Sequence, residues 1–443
     1  MQRLLFFSLL MLIIFCNRNS ISANQTQLFN NHLNDTTQTI DIAQKKQLLE
    51  SAIDSLAQVV IDSGAAPGFQ VFVSWKDHTM LHKAYGYHTY ENKQEVSLED
   101  VYDLASITKI AASTVALMKL HSEGLIELDK KLSDYWPDFK KTTKENITIR
   151  EALAHYARLQ PYIVYWTKTV KKNGKFKWFT FKQDSSKRFN VKVANGLYLH
   201  RKYRDKIYKA IKKSPLLPDK SYVYSGLSFL LYPQIVKNLT GKDFDEYLKD
   251  EIYQPMGLTH LGFNPEEFIA KEHIVPTEYD SLFRKMQVIG TVHDEAAGMF
   301  GGVSGNAGLF ANASDLGKLM QMLENKGMFE GKQLIDSLTI NEFTSYQYAE
   351  DSVRRGLGFD KPKFIEKETG YVAPSASDKS FGHSGFTGTF TWADPEHDLV
   401  VVFLSNRVYP TRENRKIYQL GIYRNFHQLV YETLEFNLIS KTQ

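Results

Sequence analysis

The sequence has 443 residues, of which 43% are hydrophobic, 23% charged and 13% aromatic. Because these fractions are close to those of average globular proteins, they exclude wholesale disorder and a coiled coil. The formal net charge of +4, from 54 Lys and Arg against 50 Asp and Glu, indicates no partner by itself. The length exceeds what one hydrophobic core usually holds, so we expect two packed regions or one core with a large insertion.

The N-terminus predicts a secretory signal peptide over residues 1–23. A basic start with Arg3 precedes residues 4–15, which are apolar at every position but one, and small residues up to Ala23 offer a cleavage site. The apolar run is too short to span a bilayer. The single cysteine, Cys16, stands just after it, and lipidation there stays open as an alternative to cleavage after Ala23. We therefore expect an exported protein of the periplasm or cell envelope.

Residues 24–45 predict a flexible tether, because they are rich in Asn, Thr and Gln and contain few large apolar side chains. The fold is expected to begin after them, where apolar residues between Leu48 and Val60 recur at helical spacing. Two strands are predicted next, over residues 67–75 and 80–87, separated by a Lys-Asp-His turn. The N-terminal part is thus expected to be a helix followed by a β-hairpin.

The C-terminal part of the sequence returns to strand patterns, which we expect over residues 356–359, 387–393 and 399–405. A turn-rich connection over residues 394–398 joins the last two and predicts an antiparallel hairpin. The strand at 399–405 is apolar enough to lie in the middle of a sheet.

These patterns predict an α/β fold in which both ends of the chain build one antiparallel sheet flanked by helices. The sheet domain is assigned to residues 46–110 and 300–443. Residues 111–299, whose pattern is mostly helical, are expected to form an inserted region.

Ser106 and Lys109 form the only Ser-x-x-Lys pair of the sequence. Residues three apart share a helix face, so the lysine amine is expected beside the serine hydroxyl. A serine hydroxyl is a weak nucleophile at neutral pH and needs an adjacent base, which a desolvated lysine can supply. Taken alone, the pair is better explained by a helix-capping serine followed by an exposed lysine.

Two further motifs follow Ser106 in the chain. Residues 222–226 are Tyr-Val-Tyr-Ser-Gly before an apolar helical run, and residues 381–385 are Phe-Gly-His-Ser-Gly before a strand. In this order of nucleophile helix, tyrosine loop and His-x-Gly strand, the sequence resembles the serine β-lactamase and penicillin-binding-protein superfamily. Within it, the sequence is most similar to the class C-like branch of β-lactamases, DD-peptidases and esterases. The resemblance implies a β-lactamase/transpeptidase-like fold.

Other stretches of the chain share this resemblance, which extends from about residue 48 to residue 406. They are similar in particular to secreted hydrolases related to periplasmic DD-carboxypeptidases. These stretches are residues 101–106, 147–155, 293–294, 301–303, 306–310, 314–316 and 404–408.

The resemblance implies a role for each of four side chains. Ser106 would be the acylated nucleophile and Lys109 its base partner. Tyr224 would carry a proton to the leaving group and from the deacylating water. His383 stands where many relatives keep the lysine of a Lys-Thr-Gly motif. The resemblance therefore implies an exported serine hydrolase that acts on an ester, a D-alanyl peptide or an amide through an acyl-enzyme.

The same resemblance implies an oxyanion hole made by the backbone N–H groups of Ser106 and Phe386. The neighbouring Ser384 and Gly385 are expected to contact substrate. The expected partner is a small-molecule or peptidoglycan-derived substrate, and no cofactor is implied.

The sequence also departs from the superfamily. Gly226 stands where an amide or carboxylate side chain is usual, and Lys-Thr-Gly is absent. Because His383 replaces a permanently charged lysine, we expect slow acylation by penicillin that speeds up at mildly acidic pH. Gly226 also leaves a second function open, a catalytically impaired module that senses penicillin or peptidoglycan.

Three other kinds of site are disfavoured by their motifs. Gly382 to Phe386 begins a Gly-x-Ser-x-Gly nucleophile elbow, but Phe386 stands at its final glycine. The glycines of residues 301–305 are not followed by the Lys of a phosphate-binding loop. The histidines, including His293, lack the paired spacing of a zinc site, so no metal is expected.

Residues 160–213 are strongly basic, with 16 Lys or Arg against 2 Asp, a local net charge of +14, and aromatic residues lie between the charges. A nucleic-acid partner would fit this composition, but a signal peptide removes the chain from cytoplasmic nucleic acid. Two interpretations stay open. The stretch is either a solvated surface whose lysine stems cover apolar residues, or a wall of the cleft that attracts an anionic envelope polymer.

Overall fold

A five-stranded antiparallel sheet organises the protein, whose computed structural model describes residues 23–364 and 370–434. Its strand order is Phe381–Gly385, Thr389–Asp394, Leu399–Ser405, Gly68–Trp75 and His78–Gly86. The two ends of the chain therefore meet inside one sheet, which confirms the predicted topology. The predicted signal peptide, apart from Ala23, and Cys16 lie outside the described residues.

The two central strands pair along their whole length, from Phe69 opposite Ser405 to Trp75 opposite Leu399. Every residue of both strands is buried, because helices cover both faces of the sheet. Alternate residues point to opposite faces. Val71 and Val73 therefore lie in a different hydrophobic cluster from Phe72.

The terminal helices Ala23–Asp62 and Ile422–Thr433 cover one face of the sheet. The helix Ala313–Glu324 covers the other face. At Gly317 this helix lies so close to the sheet that a Cβ atom would be 2.4 Å from the ring of Phe72.

The remaining helices and strands lie mostly in the long segment between the two halves of the sheet. The other α-helices are Val115–Ser122, Leu132–Tyr135, Ile149–Leu153, Tyr203–Lys213, Tyr232–Thr240, Phe244–Leu248, Glu295–Gly298, Ser337–Thr344 and Lys416–Gln419. The other strands are Tyr102–Asp103, Phe181–Lys182, Val191–Ala194, Leu197–Leu199, Leu261–Phe263, Tyr279–Asp280, Met286–Gln287, Leu309–Ala311, Met328–Phe329 and Lys332–Gln333. In the part of the chain that the structure describes, no helix is both long and apolar enough to cross a membrane.

A small sheet holds the segment that leads to Ser106. Its middle strand, Leu309–Ala311, pairs with Tyr102–Asp103 on one side and with Leu261–Phe263 on the other. Residues of the segment 111–299 share one continuous hydrophobic cluster with the large sheet. The division of the chain into domains therefore stays a prediction.

The structure differs from the sequence analysis at two segments. Residues 24–45, expected to be a tether, belong to the helix Ala23–Asp62, which contains no glycine or proline to interrupt it. Residues 356–359, expected to be a strand, form a tight turn closed by bridge pairing of Arg355 with Asp360. Gly358 has a φ of +83° in this turn, a conformation that suits glycine and breaks a strand.

Candidate active site

The backbone just before Ser106 makes a strained turn held by a buried carboxylate. Ala105 has a φ of +45°, a conformation that costs a non-glycine residue about 1–3 kcal/mol. Asp103 accepts hydrogen bonds from the backbone N–H groups of Ala105 (2.8 Å) and His293 (2.6 Å). These bonds stabilise the turn that brings Ser106 to the surface of a cavity.

Ser106 lies in the 3-10 turn Ala105–Ile107, which is followed by a π-helical turn at Lys109–Thr114. Lys109 Nζ donates hydrogen bonds to Ser106 Oγ (2.9 Å) and to the carbonyl oxygen of Asn306 (3.0 Å). Lys109 is only 3% exposed, and both of these partners are uncharged. The structure thus brings the two side chains together as their spacing predicts, with the amine within reach of the serine proton.

Tyr224 lies beside Lys109 and is 37% exposed. Its ring centre is 5.1 Å from Lys109 Nζ and 4.5 Å from the ring centre of His155. His155 is buried, and its Nδ1 accepts a hydrogen bond from the backbone N–H of Ser225 (3.1 Å). Among the described residues, the Tyr224 hydroxyl has no hydrogen-bond partner. The structure therefore places the ring of Tyr224 against the amine, and its role in proton transfer stays a prediction.

His383 is buried behind Tyr224, with the two ring centres 5.9 Å apart. Its Nδ1 donates to the carbonyl oxygen of Ser384 (2.7 Å), so in the neutral ring Nε2 carries the lone pair. Burial, together with the charges of Arg355 and Lys109, lowers the pKa of His383 to about 3. The expectation that mild acid charges this residue is therefore wrong, because a buried imidazole between two cations does not take up a proton there.

Arg355 supplies a permanent charge close to the tyrosine. Its Cζ lies 5.7 Å from the ring centre of Tyr224, and its side chain is 1% exposed. Arg355 forms an ion pair with Asp360 (3.2 Å) and donates to the carbonyl oxygen of Gly358 (2.9 Å). Burial alone would raise the pKa of Asp360, but Arg355 and Arg354 outweigh it and lower that pKa. The carboxylate therefore stays ionised and holds the guanidinium in place.

The end of the strand Phe381–Gly385 packs against the turn that carries Ser106. A Cβ atom at Gly385 would lie 2.4 Å from the carbonyl oxygen of Leu104, so only glycine permits this approach. Phe386 follows, 44% exposed, and lines the same cavity as Ser106. Ser384 is half-buried. The structure thus brings residues 384–386 near the nucleophile, while their roles in an oxyanion hole and in substrate binding stay predictions.

Gly226 leaves open space in the cavity. The nearest atom to a Cβ built there is the Cβ of Asn306, at 3.9 Å, which is ordinary van der Waals distance. Its backbone N–H donates to the carbonyl oxygen of Pro161 (3.1 Å). The space that a side chain at this position would occupy is therefore not filled by a neighbouring group.

The cavity at Ser106 has a volume of about 660 Å³, and its lining contains both apolar and charged residues. Residues 161–166 of the basic stretch line it, together with Leu227, Leu230 and Leu282. The lining also contains the charged or polar side chains of His293, Asp294, Glu295, Asn306 and Arg412. The lysines at 171, 172, 175 and 177 do not line this cavity.

An ion-pair network holds the charged side chains of the cavity lining in place. Arg412 Nε donates to both carboxylate oxygens of Glu278 (2.9 and 2.8 Å), and Arg412 Nη2 lies 2.8 Å from Glu295 Oε1. Burial alone would raise the pKa of Glu278, but His293 and Arg412 outweigh it and lower that pKa to about 2. Because two carboxylates already pair with Arg412, its charge is largely compensated before any substrate binds.

Sequence reasoning assigned no role to several residues of this site. The backbone oxygen of Asn306 and the ring of His155 contact the predicted catalytic residues directly. His155 lies in the stretch 147–155, which resembles the superfamily, so the sequence drew attention to this stretch but not to the histidine itself. Arg355 and Asp360 carried no signal, because they flank residues 356–359, which were expected to be a strand and form a turn instead.

Comparison with known proteins agrees with this fold. The sequence profile of the Beta-lactamase family matches residues 50–423. An N-acetylmuramyl-L-alanine amidase of Bacillus subtilis (strain 168) is 31% identical over 415 residues, which cover 85% of this chain and 88% of the relative. A putative D-alanyl-D-alanine carboxypeptidase of Salmonella agona (strain SL483) is 31% identical over 392 residues, covering 82% and 84%.

Solved structures share the fold at lower identity. A penicillin-binding protein homologue from Caulobacter crescentus superposes with a TM-score of 0.61 at 18% identity, covering 86% of this chain and 97% of that structure. A class C β-lactamase from Rhodobacter sphaeroides gives a TM-score of 0.59 at 15% identity, covering 86% and 99%. The sequence profile, the relatives and the shared fold lead to one assignment: this chain belongs to the β-lactamase family of serine hydrolases.

Proposed function

We propose that this protein is an exported serine hydrolase that cleaves D-alanyl peptides, and related amides or esters, through an acyl-enzyme on Ser106. The observation that carries the proposal is the 2.9 Å hydrogen bond between Lys109 Nζ and Ser106 Oγ in a cavity of about 660 Å³. Activation of a serine by an adjacent amine is the arrangement that nucleophilic catalysis requires. Export rests on the basic and apolar N-terminus.

The proposed reaction has two halves. Ser106 Oγ attacks the substrate carbonyl carbon while the Lys109 amine takes the hydroxyl proton. The bond from the carbonyl carbon to the leaving nitrogen or oxygen then breaks, and the leaving group takes up that proton, directly or through Tyr224. A water molecule next attacks the acyl-serine ester and gives its proton to Lys109 or Tyr224. The acid product leaves, and Ser106 regains its proton.

The choice of substrate is supported by the relatives and by the cavity. The two relatives carry names that refer to an N-acetylmuramyl-L-alanine amide and to a D-alanyl-D-alanine peptide. A lining that contains both apolar and charged side chains suits a substrate with both kinds of group. The absence of Lys-Thr-Gly and the neutral His383 make a fast β-lactamase a poorer fit.

Intact-mass measurement tests the proposal. The protein is incubated in turn with a fluorophosphonate, a penicillin and muropeptides, and a covalent adduct is expected on Ser106. Ser106→Ala should abolish the adduct and lower turnover by at least about a thousandfold. Ser122→Ala, at the other end of the same helical segment, is the matched control and should keep both. Normal turnover by Ser106→Ala would contradict the mechanism.

The same experiment separates the enzyme from a sensor. The open space at Gly226 is the observation that favours a sensor. A stable adduct with no hydrolysis of any ester or peptide would support it. For an enzyme, Lys109→Ala and Tyr224→Phe should not add to the loss caused by Ser106→Ala, because the three residues act as a unit. N-terminal sequencing of the exported protein, with Asn24 expected first, tests the signal peptide.

A further inference from the structure

The basic stretch contains an exposed turn rich in lysine. Val170 pairs with Phe176 across it, and the backbone N–H of Lys171 donates to the carbonyl oxygen of Lys175 (2.8 Å). The lysines at 171, 172, 175 and 177 are all exposed. Within residues 23–364 and 370–434, salt bridges of the basic stretch reach Lys192 and Lys212, but none of these four lysines. Lys177 Nζ donates a hydrogen bond to the carbonyl oxygen of Lys168 (2.8 Å), which leaves its charge uncompensated. The four charges are therefore available to an anionic surface.

Aromatic side chains stand exposed beside these lysines. Trp178 follows Lys177 directly and is 90% exposed, and Tyr162 is 75% exposed. The other four tryptophans of the chain are buried or half-buried. An almost fully exposed tryptophan is unusual, because burying its ring in an apolar environment is worth several kcal/mol.

The exposed residues belong to one packed lobe. Phe283 is buried, and its ring centre lies 5.6 Å from that of Trp166, 6.3 Å from that of Phe176 and 5.9 Å from that of Phe181. The loop before Trp166 and the turn that ends at Phe176 therefore share one support. Trp178 lies between Phe176 and Phe181 in the chain, so its backbone is anchored on both sides.

We propose that Lys171, Lys172, Lys175, Lys177 and Trp178, here called the basic-aromatic face, bind the surface of a bilayer that contains anionic lipid. Lysines near such a surface gain electrostatic attraction, and tryptophan rings favour the interface between headgroups and acyl chains. The combination of several exposed lysines with a protruding tryptophan is typical of peripheral membrane binding. The proposal goes beyond the hydrolase activity and does not depend on it.

A lipid surface fits this face better than a soluble anionic polymer. A polymer would be attracted by the lysines alone and would leave Trp178 in water, whereas a bilayer interface takes up both the charges and the ring. The position of the face has a consequence for the enzyme. Trp166 lines the cavity at Ser106 and packs on the same Phe283 ring as Phe176 of the lysine-rich turn, so docking would bring this side of the cavity close to the membrane.

Vesicle binding tests the proposal with the full chain. Vesicles of phosphatidylcholine, with or without phosphatidylglycerol, are sedimented with wild type and variants. Replacing the four lysines with Gln should lower the partition onto anionic vesicles by about fivefold per lysine. Trp178→Ser should lower it by about tenfold. The apolar N-terminal run is common to all variants, so differences between them report the face.

The matched control replaces four exposed lysines elsewhere, Lys93, Lys271, Lys326 and Lys332, with Gln, which changes the net charge equally. Brominated lipids should quench the fluorescence of wild type, and Trp178→Phe should lose this quenching. Neutral-ester hydrolysis should be unchanged in the lysine variants, which shows that they fold. Equal binding by control and quadruple variants would overturn the proposal. Binding to soluble polyglutamate without bromolipid quenching would instead assign the face to an anionic polymer.

Discussion

The guanidinium of Arg355 lies 5.7 Å from the ring centre of Tyr224, on a side chain that solvent does not reach. Asp360 forms an ion pair with the same guanidinium at 3.2 Å, which holds the charge of Arg355 in position. Sequence comparison within the superfamily draws attention to His383 as the group in the place of a lysine. In the structure, burial and the charges of Arg355 and Lys109 lower the pKa of His383 to about 3, and the nearby permanent charge belongs to Arg355.

Arg355→Met should lower kcat by about tenfold to a hundredfold with little change in KM. The guanidinium lies 5.7 Å from the centre of the Tyr224 ring. At an effective dielectric constant of about 20, its attraction for a unit negative charge at that distance is roughly 3 kcal/mol, and Asp360 offsets part of this attraction. Arg355 does not line the cavity, so ground-state binding should persist. Arg354 still pairs with Asp360 at 2.6 Å, so the carboxylate is not orphaned.

Steady-state kinetics of Arg355→Met and Arg355→Lys on one ester substrate test this electrostatic role. The lysine variant keeps the charge and should recover much of the lost kcat. Equal losses in both variants, or a change confined to KM, would contradict it.

Gly226→Asn should raise the rate of acylation by amide substrates and penicillin by about threefold to tenfold. The space for a side chain exists, because the nearest atom to a Cβ at this position is 3.9 Å away. An added amide would offer one new hydrogen bond to substrate. Gly226→Ala occupies the same space without an amide and is the control. The prediction fails if the two variants show the same acylation rate by mass spectrometry.

Acylation by penicillin should not speed up as the pH falls from about 7 to about 5. The pKa of His383 is about 3, so the ring stays neutral through this range and gains no charge to attract the penicillin carboxylate. Rates are measured from the growth of the covalent adduct at each pH. His383→Gln cannot be protonated and should show a profile of the same shape. Acceleration in mild acid that disappears in this variant would show that His383 does become charged.

The free energy of unfolding should fall with pH below about 6 in part because of His427. Burial lowers its pKa from 6.5 to about 3, so between these values the unfolded chain binds a proton that the folded protein does not. Stability present above pH 6.5 is therefore lost as the pH falls toward 3, at about 1.4 kcal/mol per pH unit from this residue.

Urea unfolding of wild type and His427→Asn from pH 8 to pH 4 measures this contribution. His427 Nδ1 accepts a hydrogen bond from the backbone N–H of Ala373 (3.2 Å), and the asparagine oxygen can replace that acceptor. Any stability lost through poorer packing of the variant appears already at pH 8. In acid, the free energy of unfolding of the variant should fall less steeply with pH, by the contribution of about one proton. Parallel curves would show that His427 is not the source.

The sheet and the pairing of Ser106 with Lys109 were predictable because their signals are local. Residues 68–75 and 399–405 are mostly apolar and rich in Val and Phe, which predicts buried strands, and the Ser-x-x-Lys spacing places two side chains on one turn. The environments of His383 and Arg355 were not predictable, because they depend on burial and on contacts between distant segments. Residues 24–45 were misassigned because a polar composition does not by itself prevent a helix.

The pairing of Phe69 with Ser405 also determines when the protein can fold. The strand Gly68–Trp75 emerges from the ribosome first, and one of its two neighbours, Leu399–Ser405, follows only after the long segment between them has been made. Until then one edge of a strand that is fully buried in the native protein has no partner, which exposes the chain to aggregation. A chain interrupted before residue 399 would lack the central strand of the sheet, so synthesis of that strand is a condition for the native core. Contacts between such distant parts of a chain also slow folding.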